Sequence, residues 1–187
     1  LLQVAYLDPS SRKKIEAESI YPNLSVELAE KIPTLEDYGK IGLEVRPPDV
    51  WRYFVRPDEE KLQSLIEKGN LQSLAAHESE DEFIYRNSFA LNKKHYASLS
   101  NKKAFVLSHG KNIMVLKIVG YAEQVIKYYL LEDLEAQVWV CHQRYPTKGK
   151  IWHPGGSHPF IGMHDALVHN GDFANYHSIA EYLKQRD

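Results

Sequence analysis

WVCHQRYPTKGKIWHPGGSHPFIGMHDALVHNGDFANY, residues 139–176, is the stretch on which the reading of this chain turns. Gln137 to Cys141 reads as a strand entering it and Ala166 to His169 as a buried strand leaving it. Between them runs a long loop rich in glycine, histidine and proline. A loop of that length inside a compact domain is uncommon unless it is functional.

Working outward, the rest of the chain reads as mixed α and β. Residues 1–7 (LLQVAYL) suggest a buried strand. Residues 12–31 suggest two short helical pieces around Pro22. Four prolines in 33–57 suggest an irregular connector with one short strand near Trp51 to Val55. A helix is expected over 58–68, capped by Asp58, with Glu59 and Glu60 in its first turn. Leu62, Leu65 and Ile66 give it an apolar face, and Gly69 ends it. Phe83 to Tyr85 is a strand candidate. Ala104 to Leu107 and Ile113 to Val119 suggest a hairpin through His109-Gly110-Lys111-Asn112. Residues 121–130 read as a helix, and Asn175 as the cap of a last one with Ile179, Tyr182 and Leu183 on one face. Short strands joined by short turns favour antiparallel pairing.

Composition bounds the function. The 187 residues are 43% hydrophobic and 26% charged, as in an ordinary globular domain. The net charge of −2 gives no bulk attraction to nucleic acid or to acidic membranes, and no apolar run is long enough for a membrane span. With Cys141 as the single cysteine, no internal disulfide is possible, which fits a reducing cytoplasmic setting. Leu1 is not a start methionine, and Asp187 follows a helical pattern without a stop signal. Both ends read as cut, so the chain is expected to be a piece of a longer protein.

Within the central stretch, Arg144 follows directly on a strand, where a guanidinium can grip a carboxylate with two parallel hydrogen bonds. A plain surface salt bridge is the alternative. His169-Asn170-Gly171-Asp172 is a strand end followed by the strongest turn dipeptide, and a simple hairpin explains it equally. The functional alternative is an oxyanion hole, with the Asn170 amide and the Gly171 N–H aimed at one point. Six of the nine histidines lie between His142 and His177. Their spacings match no helical or paired Cys/His metal pattern, so no metal ligands are expected, and a zinc- or iron-dependent hydrolase stays a minor alternative.

Together, His142-Gln143-Arg144-Tyr145-Pro146-Thr147 and His169-Asn170-Gly171-Asp172-Phe173-Ala174-Asn175-Tyr176 resemble the motif pair of class II glutamine amidotransferases, the N-terminal-nucleophile family. His158-Pro159-Phe160 lies between them, as a similar tripeptide does in glutamate synthases. FIYRNSFALN (83–92) and AFVLSHGKNIMVLKIVGYAEQVI (104–126) look like the glutamate-synthase-type branch, particularly its archaeal-style stand-alone domains. The resemblance covers residues 83–187 well and 1–82 loosely.

The resemblance implies a four-layer α/β/β/α sandwich of antiparallel sheets over residues 1–187, incomplete at both ends. It implies that Arg144 holds the α-carboxylate of L-glutamine and that Thr147 lines the same pocket. Asn170 and Gly171 would stabilise the oxyanion, with His169 and Asp172 supporting them from behind. No cofactor is implied for this domain. The ammonia would pass to a synthase domain or subunit. The family's nucleophile is a cysteine at the processed N-terminus, whose thiolate attacks the amide carbon, releases ammonia and leaves a thioester for water to cleave. Position 1 here is leucine, so the fragment as given is expected to be inactive. The family's amine-binding aspartate would fall beyond Asp187. Cys141 reads as a buried core residue rather than a nucleophile. A catalytically inactive glutamine-sensing or binding module is the alternative from another class.

Overall fold

The computed structural model describes residues 1–97, 102–143, 154–171 and 175–185. Four strands form one antiparallel sheet in the order β2-β3-β1-β4: β1 (Leu2–Tyr6), β2 (Leu24–Lys31), β3 (Asp49–Pro57) and β4 (Ala104–Ser108). A separate hairpin pairs β5 (Phe160–Gly162) with β6 (Asp165–Leu167). The helices are α1 (Arg12–Ile15, continued by a π-helical turn over Glu16–Ile20), α2 (Glu59–Lys68), α3 (Ala76–His95), α4 (Ala122–Tyr128) and α5 (Tyr176–Lys184). Among the described residues every strand pairing is antiparallel.

β1 is apolar except for Gln3 because it lies inside the sheet and is buried on both faces. Leu2, Val4 and Tyr6 point into a core with Ile15, Ile20, Tyr53 and Leu91, beneath α1 and α3. Ala5 points the other way, joining Val50, Phe105, Leu107, Val115, Tyr128 and Tyr129. Helices therefore cover one face. The second is covered by α4, by the extended chain through Ile113, Met114, Leu116 and Ile118, and by Ile161 of β5. The second sheet of an α/β/β/α sandwich is not formed by the described residues, whose only other sheet is the short β5–β6 hairpin.

Several local expectations are corrected. The second helical piece in 12–31 is β2. Its charges are matched across the strand pair: Glu30 lies opposite Arg52 and bonds it at 2.6 Å, and Lys31 reaches Asp49 at 3.0 Å. Those partners are distant in sequence, and they also blunt an exposed sheet edge. Phe83 to Tyr85 is not a strand but the middle of α3. Ser79, Phe83, Asn87, Leu91 and His95 recur every fourth residue along its inner side, a longer period that overrides a β-favouring triplet. Ile113 to Val119 forms no ladder with β4. Instead the Gln3 side chain takes the Val115 N–H at 2.8 Å. Gln137 to Cys141 forms no strand, and Val138 is 75% exposed. The Asn175 side chain makes no cap bond to α5. The α2 expectation holds, with Asp58 Oδ1 accepting the Lys61 N–H at 3.1 Å.

Candidate functional site

The segment after β4 and the β5–β6 hairpin carry the site. The hairpin turns at Met163, a non-glycine residue with φ of 49°. Its tip is docked onto the body. The Met163 N–H donates to His109 Nε2 at 3.2 Å, and His164 Nε2 bonds Asp81 of α3 at 2.8 Å. Gly110 permits the approach, since a Cβ there would fall 2.0 Å from the Met163 carbonyl oxygen. Because His109 Nε2 accepts a bond, the neutral ring carries its proton on Nδ1. That buried nitrogen has no partner among the described residues. Burial, and then the neighbouring His164, hold His109 below the usual histidine range.

The hairpin delivers His169, Asn170 and Gly171. β6 is exposed rather than buried, and it ends at Leu167, two residues before His169. Asn170 is exposed and His169 is half-buried. Gly171 has φ of 154°, and a Cβ on it would meet the His169 ring at 3.2 Å. A residue with a side chain is disfavoured there on both counts. Asn170 and Gly171 are thus exposed, three and four residues beyond the end of β6.

The first motif is held at its root. Gln143 Oε1 accepts the Ala122 N–H at the start of α4, at 2.9 Å. The His142 ring lies 4.8 Å from that of His158, which lies 4.7 Å from Phe160. Lys117 donates to the Ser157 carbonyl at 2.6 Å, beneath this stack. Arg144, Thr147 and Asp172 lie outside the described residues, so their placement beside Asn170 and Gly171 remains an expectation from sequence. Cys141 is exposed, which corrects its reading as a core residue. It follows an open segment rather than ending a strand, and among the described residues no partner strand covers it.

Sequence reasoning missed Asp81, His109, Gly110 and Lys117. The His109-Gly110 pair was read only as a hairpin joint. The signal was a glycine beside a histidine, which cannot reveal which distant backbone it approaches. Among the described residues no three His, Cys, Asp or Glu side chains are grouped as a metal ion would need, and no helix is long and apolar enough to cross a membrane.

The chain is similar to an uncharacterized protein of Archaeoglobus fulgidus, with 31% identity over 178 residues, which is 95% of this chain and 41% of that protein. The chain therefore spans about two fifths of that relative's length. It is also similar to the glutamine–fructose-6-phosphate aminotransferase (isomerizing) of Buchnera aphidicola, with 26% identity over 96 residues, 51% of this chain and 16% of that protein. No family model and no solved structure matches the chain.

Proposed function

We propose that this chain is the glutamine-binding part of a class II glutamine amidotransferase of the glutamate-synthase type. What carries the reading is the exposed stretch at Asn170-Gly171, just beyond β6, where the positive φ of Gly171 and the nearby His169 ring disfavour a side chain. The partial similarity to an aminotransferase named for glutamine supports it.

In this reading Arg144 and Thr147 bind glutamine by its α-carboxylate. Asn170 and Gly171 donate to the carbonyl oxygen as negative charge builds on it, which favours the transition state over the ground state. His169 packs behind Gly171 and fixes the turn, with Asp172 next to it in sequence. A cysteine thiolate supplied by the N-terminal region of the complete protein attacks, and the freed ammonia passes to a synthase domain or subunit. The second sheet of the sandwich would be built on the face that carries the β5–β6 hairpin. The single cysteine fits work in a reducing cytoplasm.

The test is ammonia release from glutamine by the full-length protein, with and without a thiol-alkylating reagent and a chelator. Loss on alkylation together with indifference to chelation is expected. Activity that survives alkylation and vanishes with chelator would replace this reading with a metal-dependent hydrolase.

A further inference from the structure

A cavity of about 200 Å³ opens where α1 and its π-helical continuation, the end of α3 and the residue before β4 meet. Lys14, Glu18, Lys94, His95 and Lys103 line it, so three ammonium groups share it with one carboxylate. Glu18 bonds Lys94 at 2.7 Å and lies 3.7 Å from Lys14. It gathers two of the cations but balances only one charge. Lys103 forms no ion pair among the described residues, although the exposed Asp8 feels its charge. The Lys103 backbone is fixed from both sides. Its N–H donates to the His95 carbonyl at 3.0 Å, and its own carbonyl accepts the N–H groups of Leu7 and Asp8 at 2.8 and 3.1 Å. Its ammonium is therefore not needed to hold β4 in place. His95 is 8% exposed, and its Nε2 meets the Ser19 hydroxyl at 3.2 Å. Burial holds this imidazole below the usual histidine range, and Lys94, Lys103 and Lys14 each push it lower against the opposing pull of Glu18. All three lysines thus act on one neutral ring. A basic last turn of α3 accounts for Lys94, since cations suit a helix C-terminus. It does not account for Lys14 and Lys103, which arrive from other elements.

We propose that this cavity binds a small phosphate dianion, free or as the monoester of a small molecule, through the ammonium groups of Lys14, Lys94 and Lys103. Three cations against one carboxylate leave two positive charges in excess. A phosphate near neutral pH matches them with a charge of about −1.5 to −2. Lysine suits such a group as a mobile point charge, whereas a flat carboxylate favours the arginine fork. The space lies below the range of about 300–1,000 Å³ typical of sites for larger ligands, so it fits a phosphate with few attached atoms. None of the residues proposed to bind glutamine lines it, and the site stands or falls independently of that activity.

The experiment is calorimetric titration of the full-length protein with inorganic phosphate and with glycerol phosphate, at an ionic strength held constant with sodium chloride. Wild type should bind with a Kd of about 1 mM or tighter. Lys103→Met should bind about tenfold more weakly, having lost one charge-assisted hydrogen bond. Glu18→Gln removes the one competing carboxylate and should bind about threefold more tightly. Lys68→Met, an exposed change at the end of α2, should match wild type. Binding of inorganic phosphate alone marks the free ion as the occupant, and tighter binding of the ester marks a phosphorylated small molecule. His95 supplies a readout without any lysine variant. In sulfate, a dianion whose charge does not change over the titration, the ring followed by NMR should take up its proton at a pH about 1 higher than in chloride, the reciprocal of about tenfold tighter sulfate binding to the protonated form. Phosphate heats no larger than those of chloride, a Lys103→Met affinity equal to that of wild type, a Glu18→Gln affinity no higher than wild type, or an unmoved His95 each overturns the site.

Discussion

Glu16→Gln probes a buried polar network of the sheet core. The Glu16 side chain is 4% exposed and accepts from Arg12 Nη1 at 2.5 Å and from the Tyr53 hydroxyl at 2.7 Å. Tyr53 in turn meets the Tyr6 hydroxyl at 2.8 Å, and the Arg12 guanidinium lies over Trp51 at 3.9 Å. Glutamine keeps the shape but removes the charge. Two charge-assisted bonds, both to Oε1, become neutral ones, a loss of about 1 kcal/mol each. Breaking a buried pair costs about 3–5 kcal/mol. Arg12 keeps 23% of its side-chain surface in water and can turn toward it, which places the variant near the bottom of that range, at about 3 kcal/mol. Urea unfolding followed by tryptophan fluorescence measures this. Arg12→Met made on the Glu16→Gln background should cost less than the two single changes together, since the pair is then removed as a unit. A Glu16→Gln loss below about 1 kcal/mol at unchanged urea dependence, or full additivity with Arg12→Met, would refute the network as described.

In the full-length protein, Asn170→Ala should lower kcat for glutamine hydrolysis about 10²–10³-fold with little change in KM, whereas Arg144→Lys should chiefly raise KM, both read from ammonia release. Gly110→Ala forces a Cβ to within 2.0 Å of the Met163 carbonyl oxygen, so it should destabilise by at least about 1–3 kcal/mol in urea unfolding, the cost of overpacking. Burial lowers Lys117 from 10.5 to about 8, so from about pH 8 upward the unfolded chain binds the proton that the folded chain has released. Stability then rises with pH through that window, recovering up to about 3 kcal/mol by the unfolded value. The cost is fully present below pH 8. The difference between wild type and Lys117→Met in urea midpoint should therefore shrink between pH 8 and 10, and a constant difference contradicts the buried ammonium.

The sequence by itself determined those elements whose signal is local. LLQVAYL is apolar at every position but Gln3 and became the doubly buried central strand. Asp58 and Gly69 bracket α2 because a cap needs only the residues beside it. Only tertiary structure decided the rest. β2 is a strand because Arg52 and Asp49, far along the chain, meet its charges across the sheet. The Phe-Ile-Tyr triplet is helical because α3 must cover the sheet with a four-residue repeat longer than any triplet can display. Gln137 to Cys141 looked like a strand, yet among the described residues no strand pairs with it and it stays exposed. The docking of Met163 on His109 and Gly110, and the reach of Lys117 to Ser157, join segments 54 and 40 residues apart. No local pattern encodes such a contact, because the energy that selects it exists only once both segments are packed on the same sheet.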